Sequence, residues 1–269
     1  MAQTKIPNEL LELGVNQIEA NSILISNDGG TGTIDNAIQN TGLGFEVFDD
    51  LTEGDSNTII ASQAGYKITT GSNNTAVGRT ALENLTNAVD NIAIGYAALG
   101  ACTTGMSNTA VGKDALRANT TASNNTAVGM DALTANTTGA RNVAMGYPAL
   151  DANTTASNNT AIGGSALGAN TTGTLNSAVG SSALAANTTG DNNVAIGYQA
   201  GDALTTGGDN TFIGTETGTG AQTVNRAVMI GYAAGRGVMT SDAGGAIGIG
   251  QYCLEDLTSG ARNVAIGGN

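Results

Sequence analysis

The side chains that carry most enzyme chemistry are scarce in this sequence. Its 269 residues include no histidine, no tryptophan and only two cysteines. Without histidine or a charge-relay constellation, acyl transfer lacks a general base of the usual kind. Cys102 and Cys253 are too few for a zinc site, and the calcium-binding nonapeptide of some repeat proteins is absent; no cofactor or metal is expected. One carboxylate pair invites a catalytic reading. Asp114 and Asp131 fall at equivalent positions of neighbouring repeats, which would set their backbones roughly 4.8 Å apart if the repeats stack. Retaining glycosidases hold two carboxyl groups ~5–5.5 Å apart. Such a site also needs aromatic platforms for sugar, so two aspartates on a solvated face is the reading taken, and the chain is expected not to be an enzyme. Tyr96, Tyr147, Tyr198 and Tyr232 share the column before these aspartates. They form either a stripe for glycan or protein contact or a shield over a corner.

The spacing of these residues comes from a repeat. A glycine follows a small-aliphatic pair at Gly78, Gly95, Gly112, Gly129, Gly146, Gly163, Gly180, Gly197, Gly214 and Gly231, always 17 residues apart. The series slips by two residues to Gly250 and resumes at Gly267. A period held this long defines the architecture. With the glycine as position zero, asparagine recurs at position −4 and a branched aliphatic residue or methionine at −1. Alanine recurs at +3 and leucine at +4, before a polar corner such as Asn136-Thr137-Thr138-Gly139. The Thr-Ala-Val stretch suits a pleated strand, and the glycine ends it with backbone angles closed to other residues. Seventeen residues are too few for a strand-helix-strand unit of ~30. The expected fold is all-β: a parallel β-solenoid of about thirteen coils, a rod roughly 60 Å long, with the two extra residues inside 232–250. At about nine turns' separation the two cysteines are out of disulfide range and are expected as buried fillers.

Position +7 reads Asn119, Asn136, Asn153, Asn170 and Asn187 in five consecutive repeats. These asparagines either bond amide to amide along the stack or are solvated turn residues. The repeats are expected to span residues 40–269, after an attachment segment over 1–39. Within that segment, Asn8 caps a short leucine-bearing helix ended by Gly14. No apolar run opens the chain, so no secretory signal is expected, and no stretch reaches the ~20 apolar residues of a membrane span. The last repeat stops part-way through a coil, where a solenoid needs a cap.

Position −2 carries no polar residue in thirteen repeats, and its middle members are Ala110, Ala127, Ala144, Ala161 and Ala178. If position −1 faces the coil interior, strand alternation turns these alanines outward, where sister chains would cover them. The expected partner is therefore the chain itself, as a homotrimer meeting along the alanine column. The other possibility is that the alanines pack inside one flat coil. A net charge of −13 excludes an extended nucleic-acid footprint.

Asn-Ser-Ala-Val-Gly at 176–180, Asn-Val-Ala-Met-Gly at 142–146 and Asn-Val-Ala-Ile-Gly at 193–197 resemble the head-repeat motif of trimeric autotransporter adhesins, whose period is shorter. The longer unit with Ala-Leu and Thr-Thr-Gly, and the opening Lys5-Ile6-Pro7-Asn8-Glu9-Leu10-Leu11, are more similar to bacteriophage tail-fibre and related virion fibre proteins. That resemblance implies a non-catalytic fibre assembled in the host cytoplasm and carried on the virion. Its amino-terminal segment would join another virion protein, and its repeats would project toward a host-surface glycan or protein. A bacterial adhesin head is the alternative, and a polysaccharide-cleaving tailspike a third reading.

Overall fold

In a computed structural model of the chain, residues 37–268 are described, preceded by the backbone of two short strands, Val15–Asn16 and Ile23–Ile25. The helix expected after Asn8 lies outside the described residues. The chain divides into two compact units, Met1–Asn124 and Asn125–Asn269. Each is a parallel β-solenoid, with about thirteen turns between them and no α-helix among the described residues.

In the first unit, Val15–Asn16 pairs antiparallel with Ile23–Ile25, which runs parallel to Thr41–Leu43. Sheet pairing thus begins ahead of residue 40. The strands Thr58–Ile60, Thr75–Val77, Ile92–Ile94 and Thr109–Val111 follow in parallel register, each residue beside the one 17 positions on. The second unit repeats this from Thr126–Val128 to Val264–Ile266. One step differs: Val228 pairs with Ile247 and Ile230 with Ile249. The chain holds register as far as Met239, whose carbonyl accepts from Gln222 N–H at 3.0 Å. It then takes up its two extra residues around a single 3₁₀ turn, Ser241–Ala243.

Strands of three residues close into a 17-residue coil only if the chain turns sharply, and four positions per coil do so with positive φ. The repeating glycine adopts the most extreme value. Gly146 has φ +132°, and a Cβ there would lie 2.8 Å from the carbonyl carbon of Gly163 on the next turn, so both its angles and the close approach of backbones require glycine. Positions −5, +2 and +4 are left-handed as well, and mostly carry side chains: Asn158 at φ +61°, Asp131 at +57° and Leu133 at +52°. A leucine in this region is strained by about 1–2 kcal/mol. It is held there because its side chain fills the interior, where Leu133, Leu150, Leu167 and Leu184 are fully buried.

Opposite those leucines lies the −2 column. Ala110, Ala127, Ala144, Ala161 and Ala178 are all 0% exposed in the single chain. This corrects the expected trimer seam: the alanines lie inside their own coil and have no surface left to offer a sister chain. The aliphatic column at −1 points outward instead, with Ile94 40%, Ile162 37% and Ile196 43% exposed. The reason is volume. A coil this flat has room across from leucine only for a methyl group, so the alternation of the strand sends its β-branched residues out.

The exceptions obey the same rule. Where position −2 is large, position +4 is glycine: Ile59 with Gly65, Phe212 with Gly218, Met229 with Gly235. A Cβ on Gly218 would meet Phe212 Cδ1 at 2.6 Å, and one on Gly235 would meet Met229 Cγ at 2.8 Å. Phe212 also reaches the preceding turn, at 2.7 Å from a Cβ placed on Gly201. Across positions −2 and +4 the interior is close-packed, with one large side chain of the two in each of these layers.

Candidate interaction surfaces

The most regular chemistry in the structure is amide chemistry, and it is internal. Position −4 forms a stack in each unit. Asn57, Asn74, Asn91 and Asn108 each present a backbone N–H to the side-chain oxygen of the asparagine one turn earlier, at 2.9–3.1 Å. Asn142, Asn159, Asn176, Asn193 and Asn210 do the same at 2.9–3.1 Å, and Ala227 N–H closes the series on Asn210 Oδ1. Each side-chain amide then donates forward to the carbonyl at position −7 of the next turn, as Asn159 does to Gly173 at 2.8 Å.

The +7 asparagines form a second stack. Asn153 Nδ2 donates to Asn136 Oδ1 at 2.8 Å, Asn170 to Asn153 at 3.1 Å and Asn187 to Asn170 at 3.1 Å. In the first unit, Asn119 donates to the Ala122 carbonyl at 3.0 Å and lies 3.9 Å from the sulfur of Cys102. All five of these asparagines are fully buried, and the side-chain amide of each donates at least one hydrogen bond within the coil. A third line runs outside them: Thr137, Thr154, Thr171 and Thr188 each give a hydroxyl hydrogen bond to the carbonyl 17 residues on, at 3.0–3.3 Å.

Each remaining sequence candidate has a definite place. Cys102 and Cys253 are free thiols and buried; burial pushes the Cys102 thiol up from its ordinary value, which suppresses the reactive thiolate. Asp114 and Asp131 belong to different units. Asp114 is buried and not on the solvated face expected of it, and it is held by Lys113 at 3.4 Å and Arg117 at 3.9 Å. Asp131 is half-buried, and its charge adds to the burial that raises the carboxyl of Asp151. Among the described residues, no group of three or more Cys, Asp or Glu side chains forms a metal-binding set.

The tyrosines face solvent. Tyr96 in the first unit, and Tyr147, Tyr198 and Tyr232 in the second, are exposed. Tyr147 and Tyr198 are three turns apart, roughly 14 Å, so the column is a row of separate rings and not a continuous platform. Arg79 lies over the Tyr96 ring at 5.9 Å. Tyr232 meets Tyr252 edge-to-face at 5.3 Å and 84°, and a hydrogen bond with Tyr252 raises its hydroxyl. The aliphatic column at −1, expected to face the interior, is exposed as well. In the second unit Met145, Ile162, Val179, Ile196 and Ile249 form an outward aliphatic column, flanked at −3 by Thr160, Ser177, Val194 and Thr211.

Against known proteins the chain stands apart: no family model, no curated protein and no solved structure matches it. The class the fold defines is the parallel β-solenoid with a 17-residue turn.

Proposed function

We propose that this chain is a non-catalytic structural fibre protein of a virion, similar to tail fibres, with its amino-terminal segment attaching to another virion protein and its repeats projecting toward the host surface. The observation that carries this reading is the contrast between the two sides of each strand. The interior is packed with alanine, leucine and hydrogen-bonded asparagine. The outer side still presents an aliphatic residue at every turn, a contiguous apolar stripe of the kind that marks an association surface. Three copies packing along Met145, Ile162, Val179 and Ile196 would cover that stripe, so the proposed homotrimer rests on the −1 column. The resemblance of the Ala-Leu and Thr-Thr-Gly unit and of the Ile6-Pro7-Asn8-Glu9-Leu10 opening to virion fibre proteins supports the biological setting.

A bacterial adhesin head is the second reading, favoured by the Asn-Val-Ala-Ile-Gly motif at 193–197. Immuno-electron microscopy separates them. Antibody to this chain decorating fibres on intact phage particles is the expected result, and label confined to a bacterial envelope would replace the fibre by the adhesin. Depolymerisation of capsular polysaccharide by the purified protein, lost in Asp114→Asn or Asp131→Asn, would instead establish the tailspike.

A further inference from the structure

Where the period slips, the regular surface is broken by a pocket. Position −5 on successive turns of this region reads Asp209, Arg226, Gly245 and Arg262. All four share one backbone conformation, with φ of +61°, +59°, +74° and +62°, so the column continues through the slip with one side chain missing. That gap at Gly245, with the extra residues around Ser241 beside it, makes an open pocket of about 390 Å³. Asp209, Asn225, Arg226, Ser241 and Arg262 line it.

The charges in this pocket are unusual for the chain. There are 9 lysines and arginines in all, against 22 acidic residues. Arg236, a third cation of the same turns, is taken up by Glu255 at 2.6 Å. Arg226 and Arg262 form no ion pair among the described residues, yet both line the same cavity. Their Cα atoms are two turns apart, roughly 9.6 Å, a span that one small anion between two long side chains can bridge. The other groups are suited to hydroxyls: the Asp209 carboxylate accepts, and Ser241 both donates and accepts. Asn225 uses Oδ1 to accept from Gly208 N–H at 2.8 Å and one Nδ2 hydrogen toward the Thr223 carbonyl at 3.1 Å, which leaves a second N–H to give.

We infer that the slip in the repeat builds a binding site for a carboxylate-bearing sugar, with Arg226 and Arg262 on the carboxylate and Asp209, Asn225 and Ser241 on the hydroxyls. Guanidinium groups match a planar carboxylate fork to fork. The aspartate in the wall and the chain's net charge of −13 oppose a compact polyanion, so phosphate is disfavoured. The site stands on the pocket alone, and its failure would leave the fibre reading untouched.

The test is saturation-transfer NMR and calorimetric titration of the full chain with glucuronic acid, glucose and inorganic phosphate. Glucuronic acid is expected to bind at millimolar concentration, with glucose and phosphate at least about tenfold weaker, the equivalent of about 1.4 kcal/mol. Arg226→Gln with Arg262→Gln removes the binding while the circular dichroism spectrum and melting temperature stay unchanged. Gly245→Asn, a residue that accepts left-handed angles, fills the gap and gives the same loss. Equal binding of glucose, preference for phosphate, no binding of glucuronic acid, or binding that survives either variant would overturn the assignment.

Discussion

Asn176 and Asn187 share one acceptor: both side-chain amides donate to the carbonyl of Gly190, at 2.8 and 3.1 Å. The first belongs to the −4 stack and the second to the +7 stack, so the two lines of amides are tied at this corner. The same junction recurs at Ala156, which accepts from Asn142 at 2.8 Å and Asn153 at 3.1 Å, and at Gly173, which accepts from Asn159 at 2.8 Å and Asn170 at 3.0 Å. A backbone carbonyl has two lone pairs, and here both are used.

Position within the stack decides what a substitution costs. Asn170 gives to Asn153 and Gly173 and accepts from Asn187, so Asn170→Ala strands buried groups above and below. A loss of about 3 kcal/mol is expected. Asn187 ends the line beneath Leu204, and its Oδ1 is buried without a donor. Asn187→Leu leaves only Asn170 Oδ1 short of a partner, and about 1 kcal/mol is expected. Urea denaturation of the two variants measures the difference, and equal losses would mean that the stack does not act as a directional chain.

The pairing of Phe212 with glycine predicts a rescue. Phe212→Ala opens a cavity and should cost about 3–5 kcal/mol. Gly218→Leu alone drives a side chain into the Phe212 ring and should also destabilise. Together they restore the Ala-Leu layer found at Ala178 and Leu184, so the double variant should be more stable than either single one. A double-mutant cycle by thermal denaturation reads this directly.

Adjacent residues of one strand should respond in opposite ways to charge. Ala161→Glu buries an unpaired carboxylate and is expected to unfold the turn or lower stability by several kcal/mol. Ile162→Glu lies outward, so the melting temperature of the isolated chain should hold while any self-association disappears. Sedimentation velocity with circular dichroism melting distinguishes these outcomes.

Asp202 supplies a pH dependence. Burial raises its carboxyl above the ordinary range, with Glu216 adding to the effect, while hydrogen bonds from backbone N–H groups pull the other way. Its Oδ1 is buried without a partner. A carboxyl raised in the folded state holds its proton more tightly there than in the unfolded chain. Its contribution is therefore most favourable at low pH and is lost as pH rises from the ordinary carboxylate value through the raised one. Asp202→Asn should melt higher than the parent at pH 7, with the gap closing below about pH 4. A gap that is the same at both pH values would rule out titration of this group as the cause.

The period, the three-residue strands and the stacking of equivalent residues were all legible in the sequence, because a repeat reports its own register. Which side of the strand faced inward was not. Alternation assigns Ala161 and Ile162 to opposite faces but is silent on which is buried, and hydrophobicity alone favoured the isoleucine. The deciding signal was volume, present in the sequence as the exchange of Ala178 and Leu184 for Phe212 and Gly218. The left-handed leucines left no such trace, since leucine is an ordinary strand or helix residue by propensity and is held at positive φ only by the packing of the finished coil. The pocket at Gly245 was foreshadowed only as a two-residue slip.

The spacing of the hydrogen bonds has a consequence for how such a chain changes over time. Within each unit the bonds between turns join residues 12 to 20 positions apart, so a turn meets only the turns beside it. Adding or deleting one regular 17-residue unit inside such a run therefore replaces each interface with another of the same kind, and the residues on either side meet partners they already fit. Length in this architecture is a trait that can vary in steps of one turn, while ordinary globular cores, whose contacts join distant segments, have no equivalent unit to gain or lose.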